Sequence, residues 1–197
     1  MKNPNNKKTI VVFGVSSFVG SNITEFLKED FKIIGTYYRN RISIDGVLCL
    51  PCDVLNKDEV RLVMLAFKPD IAIYCVGMSS VVDCNENENL GDALNTGGLV
   101  NVIEFSQRYK TQVCYLSTAH VFGGENKVYS EMDIPDASTI YGNMVASSEF
   151  YIQKNCLNYL IFRCGRFYGR SVSSNGGNWF EKMQYLFHSG DGGEFDN

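Results

Sequence analysis

One short run near the amino terminus constrains the fold more than any other feature of the sequence. The residues GVSSFVG, from Gly14 to Gly20, follow an apolar run at residues 9–13 and precede apolar residues at helical spacing. In this order of strand, turn and helix, Gly14 lets the chain turn sharply and Gly20 lets the helix approach the strand. Free amide groups at the start of such a helix hold phosphate charge. The run therefore predicts a turn that binds the diphosphate of a dinucleotide.

The turn departs at its centre from the usual dinucleotide-binding pattern. Ser17 stands in place of the middle glycine, and its side chain and restricted backbone can weaken or reshape the diphosphate contact. A tight turn that binds nothing is the alternative. The predicted cofactor-binding set at the turn is Gly14, Ser16, Ser17, Phe18, Val19 and Gly20.

Hydrophobic spacing divides the rest of the chain into alternating strands and helices. Further strands are predicted at residues 32–38, 47–52, 71–76, 113–117 and 159–163. Helices are predicted after the polar residues 56–59, from about residue 86 to 108 with an interruption at two glycines, around residues 141–152, and near residues 179–187. Strands that alternate with helices pair in parallel through right-handed crossovers. The expected fold class is α/β, a Rossmann-type doubly wound parallel sheet in three layers.

Composition limits the size and the partners of this fold. The 197 residues, 45% of them hydrophobic, suit one domain with a proper core. A net charge of -4 with dispersed Lys and Arg predicts binding to neither nucleic acid nor an anionic membrane. The sequence contains no run of about 18 apolar residues and no visible secretory signal, so we expect a cytoplasmic protein that does not span a membrane.

The seven cysteines fit reduced, buried thiols better than a disulfide framework, because most lie in apolar strand-like runs. Cys49 and Cys52 form a CxxC, for which a redox pair or half of a zinc site is the alternative. The sequence has no second pair of this kind and only two histidines. The structural interpretation is therefore favoured, and no metal site is predicted.

Residues that follow the second and third predicted strands are candidates for the adenosine half of a dinucleotide. A site selective for NAD places an acidic residue about 20 positions beyond the glycines. The sequence here is TYYRNR, which includes Tyr38 and Arg39; Arg39 and Arg41 either face a 2′-phosphate, which favours NADP, or are solvated surface residues. Asp53, followed by Val54, either accepts from the adenine amino group or caps the next helix.

The ends of the fourth and fifth predicted strands supply further candidates. Ligands of a doubly wound sheet bind beyond the carboxyl ends of its strands. Val76, Gly77 and Ser117 lie at these ends and are therefore assigned to the cofactor.

Taken together, these residues resemble the extended short-chain dehydrogenase/reductase family, in the superfamily of NAD-dependent epimerases and dehydratases, and within it the dTDP-4-dehydrorhamnose reductases. The resemblance covers nearly the whole chain. Its marks, besides the glycine turn, are CDV at Cys52, PDIAIYCVG at Pro69, VVDCNENENLGDALNTGG at Val81, LSTAHVFGG at Leu116, IYG at Ile140 and IFRCGRFYG at Ile161. In that family a nucleotide sugar is reduced, epimerised or dehydrated at C4 by hydride exchange with a bound nicotinamide.

The resemblance also implies catalytic residues. Thr118 matches the hydroxyl that orients the substrate carbonyl, and Tyr141 matches the general acid/base. A phenol has an ordinary pKa of about 10, so it needs a neighbouring cation to transfer a proton at neutral pH. The family supplies a lysine four residues on, where this chain has Val145. The resemblance therefore implies that both catalysis and cofactor affinity are weakened.

Other groups near the implied site are candidates for a substrate contact or a replacement cation. The resemblance assigns substrate contacts to Met78, Ser79, Thr118 and His120, and His120 can also contribute charge. Lys127 or Arg166 can supply a cation by swinging into the site. Lys154 lies 13 residues beyond Tyr141, or about 20 Å along a helix, and is too distant.

By the same resemblance, residues 1–170 are an NAD(P)-binding Rossmann domain and residues 171–197 are the start of a shortened substrate-binding region. Three alternative functions stay open. In the first, the chain is an NADP- or NAD-dependent reductase or epimerase of a nucleotide sugar, with NADP preferred. It is instead a pseudoenzyme or a regulatory dinucleotide-binding module, comparable to the regulatory subunit of methionine adenosyltransferase. Or it is a segment of a larger enzyme, idle by itself. Family analogy also favours a homodimer.

Overall fold

The computed structural model describes residues 7–124, 128–172 and 179–189. Its strands are β1 Thr9–Phe13, β2 Lys32–Tyr37, β3 Leu48–Pro51, β4 Ile71–Tyr74, β5 Gln112–Thr118 and β6 Tyr159–Cys164. Within these ranges the six strands form one sheet in the order β3-β2-β1-β4-β5-β6, and every pairing is parallel. The predicted doubly wound α/β fold is confirmed.

A helix follows every strand except β2, which a loop joins to β3. They are α1 Phe18–Leu27, α2 Lys57–Phe67, α3 Val81–Glu86, α4 Glu88–Asp92, α5 Gly98–Tyr109, α6 Ile140–Asn155 and α7 Trp179–Ser189. A π-helical segment, Ala93–Gly97, joins α4 to α5, and a 3₁₀ turn, Ala119–Val121, follows β5. Of the helices in the described ranges, none combines the length and the apolar character that crossing a bilayer requires.

The sheet separates two apolar layers, because successive residues of a strand point to opposite faces. On one face Val11 and Phe13 pack in a cluster with residues of α2, α5 and α6. On the other face Ile10 and Val12 belong to a second cluster, against which Ile23 of α1 packs. The central strand β1 is therefore buried on both sides, and the turn that follows it starts from a rigid base.

The helical stretch after β4 differs from the prediction. It begins at Val81, earlier than the spacing indicates, because the Ser80 side chain accepts a hydrogen bond from a backbone N–H of the first turn and caps α3. The predicted interruption at Gly97 and Gly98 is a π-helical segment that ends at Gly97. Gly98 nevertheless permits close packing, since a Cβ there would lie 2.6 Å from a methyl group of Val54.

Three strands are shorter than predicted. β2 ends at Tyr37, β3 at Pro51 and β4 at Tyr74. Tyr38 and Val76 consequently lie in loops at the carboxyl edge of the sheet instead of inside strands. This edge is where parallel sheets of this type bind ligands.

All seven cysteines lie in the described ranges and are free thiols. Burial, together with the nearby Glu59 and Asp53 carboxylates, raises the pKa of the Cys52 thiol to about 12, and burial also raises the pKa of Cys49. A redox or zinc-binding thiol instead needs a lowered pKa. The structural interpretation of this CxxC is therefore supported.

The predicted division at residue 170 stays a prediction. Helix α7 lies in the proposed second region, whereas residues 173–178 and 190–197 of that region lie outside the described residues.

Candidate functional site

The glycine turn joins the buried strand β1 to α1. Gly14 has a φ of +84°, a conformation that residues with a side chain rarely adopt. A Cβ at Gly14 would lie 2.8 Å from the carbonyl oxygen of Cys75, and a Cβ at Gly20 would collide with the carbonyl oxygen of Gly14. Each glycine thus has its own steric reason, one for the sharp turn and one for the approach of the helix to the strand.

Ser17 caps α1 and leaves amide groups available at its start. The Ser17 hydroxyl oxygen accepts a hydrogen bond of 3.0 Å from the N–H of Gly20. The N–H groups of Phe18 and Val19, in the first turn, have no acceptor within the helix. They lie at the positive end of the helix dipole. This donor set fits a diphosphate, with one amide fewer because Ser17 engages it.

A cleft of about 520 Å³ opens at the carboxyl edge of the sheet. Small-molecule sites commonly have volumes of about 300–1,000 Å³. The cleft brings together predicted residues from both halves of the sheet: Ser17, Phe18, Val19, Val76, Gly77, Met78, Ser79, Ser117, Thr118, His120, Tyr141 and Val145. The start of α1 and the Tyr141 region therefore belong to one continuous site.

The remaining predicted residues do not line this cleft: Gly14, Ser16, Gly20, Tyr38, Arg39, Asp53 and Val54. At the margin after β2, the guanidinium carbon of Arg39 lies 4.9 Å from the centre of the Tyr38 ring, and both side chains are exposed. This cation–π contact holds a positive charge near the edge of the sheet. A guanidinium placed in this way suits a phosphate group.

Asp53 shapes the loop between β3 and α2. Its Oδ1 accepts a hydrogen bond of 2.9 Å from the N–H of Leu55, and its own N–H donates to Glu59 at 2.7 Å. The alternative that Asp53 caps the next helix is wrong, because the side chain of Asn56 accepts from the N–H groups of Asp58 and Glu59 and is the cap of α2. A contact between Asp53 and adenine stays a prediction.

Thr118 and Tyr141 both line the cleft, at the end away from α1. Thr118 ends β5 and is 9% exposed, and Tyr141 lies in the first turn of α6. Burial raises the pKa of the Tyr141 phenol, whereas the hydrogen bond with Thr118 acts to lower it. The His120 ring packs edge-on against the Tyr141 ring with their centres 5.6 Å apart. The phenol is therefore neutral at neutral pH.

Val145, one turn beyond Tyr141, is part of the hydrophobic core. It is 4% exposed, belongs to the same apolar cluster as Leu99 and Val102, and also borders the cleft. An apolar side chain contributes no charge that would favour the ionised phenol. The raised pKa of Tyr141 has the direction expected for burial without a cation at this position.

The candidate replacement cations lie in different places. Arg166 lines the cleft that Tyr141 also lines. Lys154 lies in the last turn of α6 and is exposed to solvent. Lys127 lies outside the described residues.

A buried ion pair beside the cleft was not predicted from the sequence. Glu149, on α6, is 0% exposed, and its Oε2 lies 2.8 Å from Nη2 of Arg163 on β6. Its signal in the sequence is a carboxylate eight residues beyond Tyr141, on a helix face that also carries Ser148 and Ile152. A charge on an inward-facing position requires a partner.

Asn95 is a second residue that sequence reasoning missed. It lies in the π-helical segment and is 4% exposed. Its Oδ1 accepts from the N–H of Met78 at 2.9 Å, and its Nδ2 donates to the carbonyl oxygen of Met78 at 3.1 Å. Asn95 thereby fixes the backbone of a loop that lines the cleft.

Comparison with known proteins gives a family and a set of relatives. The family described as RmlD substrate binding domain matches residues 8–192. Methionine adenosyltransferase 2 subunit beta of Danio rerio is 24% identical over 163 residues, which are 82% of this chain and 49% of that protein. The chain spans about half the length of the curated relatives it matches.

Solved structures share the fold. A crystal structure of dTDP-4-dehydrorhamnose reductase from Bacillus anthracis in complex with NADP is similar with a TM-score of 0.80 and 24% identity, over 93% of this chain and 61% of that chain. The Bordetella bronchiseptica enzyme WbmH in complex with NAD+ is similar with a TM-score of 0.76 and 18% identity, over 94% of this chain and 64% of that chain.

Proposed function

We propose, from the premise that the chain belongs to the RmlD substrate binding domain family, that it binds a nicotinamide dinucleotide without catalysing hydride transfer to a nucleotide sugar. Membership of this family confirms the resemblance inferred from the motifs. Its fold is the NAD(P)-binding fold of nucleotide-sugar reductases and epimerases. The observation that carries the proposal is the burial of Val145 beside Tyr141, whose pKa is raised.

The binding half of the proposal rests on the start of α1. The N–H groups of Phe18 and Val19 and the two glycines of the turn form a cradle that fits a diphosphate. The two similar structures hold NADP and NAD+ respectively. We propose the same class of cofactor for this chain, with NADP preferred because of the positive charge of Arg39 after β2.

The non-catalytic half rests on proton transfer. A bound dinucleotide supplies or accepts the hydride, and a protein group must move a proton to or from the substrate oxygen. The most effective general acid or base has a pKa near the working pH. Burial moves the pKa of Tyr141 in the opposite direction, so the phenol is a weak acid and its base form is scarce.

A relative with a different role supports the same conclusion. The matched protein from Danio rerio is named as a subunit of methionine adenosyltransferase and not as a reductase. We therefore favour a regulatory dinucleotide-binding module over a nucleotide-sugar reductase.

A reductase or epimerase of a nucleotide sugar is the second candidate function. Arg166 favours it, since this cation lines the same cleft as Tyr141. In that case Arg166 would take the part of the missing lysine and lower the pKa of the phenol.

Binding and turnover measured on matched variants test the proposal. We expect calorimetry to give NADPH a dissociation constant well below about 1 mM. We expect wild-type turnover of a 4-keto nucleotide sugar to be at least about tenfold below that of Val145→Lys, with no gain in the neutral control Val145→Met. If Val145→Lys has a measurable rate and the wild-type rate lies within about tenfold of it, the non-catalytic half of the proposal is contradicted. If that wild-type activity is then lost in Arg166→Ala, the second candidate function is favoured. Absence of binding contradicts the cofactor half.

A further inference from the structure

We propose that the buried ion pair of Glu149 and Arg163 positions Tyr141 against Thr118, which makes both members positioning residues for the cleft. This inference rests on the proposed function in one respect, that Thr118 and Tyr141 line the cleft in which the dinucleotide binds. Neither Glu149 nor Arg163 lines the cleft itself.

The Glu149 carboxylate has partners on both oxygens. Nε of Arg163 donates to each oxygen at 3.1 Å, and Nη2 donates to Oε2 at 2.8 Å. The hydroxyl of Ser117 donates to Oε1. A carboxylate that is 0% exposed is stable only when such partners meet its charge, so small displacements of either partner are penalised.

The pair joins the structural elements that carry the cleft. Ser117 lies on β5, Glu149 on α6 and Arg163 on β6. Nη1 of Arg163 also donates to the carbonyl oxygen of Asp133 at 2.9 Å, and the guanidinium carbon lies 5.0 Å from the centre of the Phe122 ring. The segment between β5 and α6 is thereby tied to the same cluster.

The ion pair is connected to Thr118 through β5 and to Tyr141 through α6. Ser117 immediately precedes Thr118 on β5. Glu149 lies eight residues beyond Tyr141 on α6, which is about two helical turns. The ion pair therefore fixes α6 against the end of β5 at a point close to both partners of the hydrogen bond.

Other titratable groups also act on Tyr141, and none belongs to the pair. Cys84 on α3 raises the pKa of Tyr141, the His120 ring packs against its ring, and Tyr115 on β5 is coupled to it electrostatically. Glu149 itself raises the pKa of Tyr115, so this background stays unchanged only in variants that keep both charges of the pair, such as Ser117→Ala and Arg163→Lys. A change in the titration of Tyr141 in such variants then reports on the alignment with Thr118.

The test is an alkaline absorbance titration of Tyr141 in the ligand-free protein, with Tyr141→Phe as the reference in each background. The hydrogen bond with Thr118 lowers the pKa of Tyr141. We therefore expect Glu149→Gln, which disturbs this hydrogen bond, to move the midpoint of the Tyr141 titration upward by about 0.5–1 on the pH scale, the effect of one hydrogen bond. Ser117→Ala, which keeps both charges, should raise it by less. Arg163→Lys should restore part of the alignment that Arg163→Met loses.

A matched control and a second variant keep the test decisive. Glu104→Gln breaks the exposed ion pair between Lys57 and Glu104 and should leave the titration of Tyr141 unchanged. The double variant Glu149→Leu, Arg163→Met replaces the pair by apolar groups and should fold, yet should still show the raised pKa. An unchanged pKa of Tyr141 in the double variant and in Ser117→Ala would overturn the proposal and leave the pair a purely structural one. Loss of dinucleotide binding in the wild type would count against the proposed function and leave this titration unaffected.

Discussion

The two ends of the cleft are built from different parts of the chain. At the α1 end the candidate binding groups are backbone amides, held in place by two glycines and by a strand that is buried on both faces. At the α6 end they are the side chains of Thr118, Tyr141 and the residue at position 145. The α1 end accommodates Ser17 in place of a glycine by using it as the cap of α1, whereas the α6 end has the apolar Val145 where the family resemblance implies a lysine.

The largest effect should come from the backbone end. Gly14→Ala places a Cβ against the carbonyl oxygen of Cys75 and forces a residue with a side chain into a φ of +84°. We expect the displaced turn to lose NADPH affinity by at least about 100-fold, measured by calorimetry on protein whose fold is verified by circular dichroism.

Gly46→Ala is the matched control for that substitution. Gly46 also has a positive φ, of +75°, but in the described part of the chain a Cβ there would meet no heavy atom within 4 Å. This variant carries the conformational strain alone and should keep NADPH affinity within about twofold. Equal losses in the two variants would show that the close contact at Gly14 is not what maintains the site.

The same contrast explains what the sequence alone can predict. The parallel sheet and the turn after β1 follow from apolar spacing and from glycines at fixed positions, which are local features of the chain. Apolar spacing places the start of this helical stretch too late, because it does not detect the hydrogen bond by which Ser80 caps α3. The observed ends of β2, β3 and β4 also differ from the predicted ends, because pairing with a neighbouring strand decides where a strand stops.

Side-chain networks depend on residues that are far apart in sequence. The Glu149–Arg163 pair spans 14 residues and two structural elements, and Asn95 reaches Met78 across 17 residues. In each pair the two partners lie on different structural elements, so neither partner could be identified from periodicity within one element. The fold was thus predictable, together with the residues at strand ends, whereas the network that aligns Tyr141 required the structure.

An intermediate effect concerns alkaline pH. Burial raises the pKa of Cys52, in the loop between β3 and α2, from 9.0 to about 12. Burial also raises the pKa of Tyr141 above its ordinary value of 10.0. Above each ordinary pKa the unfolded chain loses a proton that the folded chain keeps, so the free energy of unfolding falls as pH rises. We expect a loss of about 1.4 kcal/mol per pH unit for the thiol, fully developed between about pH 10 and 11, measured by urea denaturation.

Two variants separate the contributions of the thiol and the phenol. Cys52→Ala should reduce the slope above pH 9 by about 1.4 kcal/mol per pH unit, while Cys75 and Cys156, whose pKa values burial raises to about 12 and about 11, keep contributing. Tyr141→Phe should leave the slope unchanged below about pH 10, where the phenol stays protonated in both states. If Cys52→Ala falls with the same slope as the wild type between pH 9 and 11, the thiol does not stay protonated in the folded chain.

The smallest effect should come from the exposed margin of the α1 end. Arg39→Ala removes a guanidinium that stacks on Tyr38, and a contact between solvated charges contributes only about 1 kcal/mol. We therefore expect NADPH affinity to fall about fivefold at low salt and NADH affinity to change less than about twofold, with Arg39→Lys in between. Equal changes for the two cofactors would make Arg39 an ordinary surface residue and remove the reason for preferring NADP. A loss of affinity for NADPH alone would show that the α1 end also depends on one side chain, at its solvent-exposed edge. The α1 end would then tolerate substitution of side chains only in the buried turn.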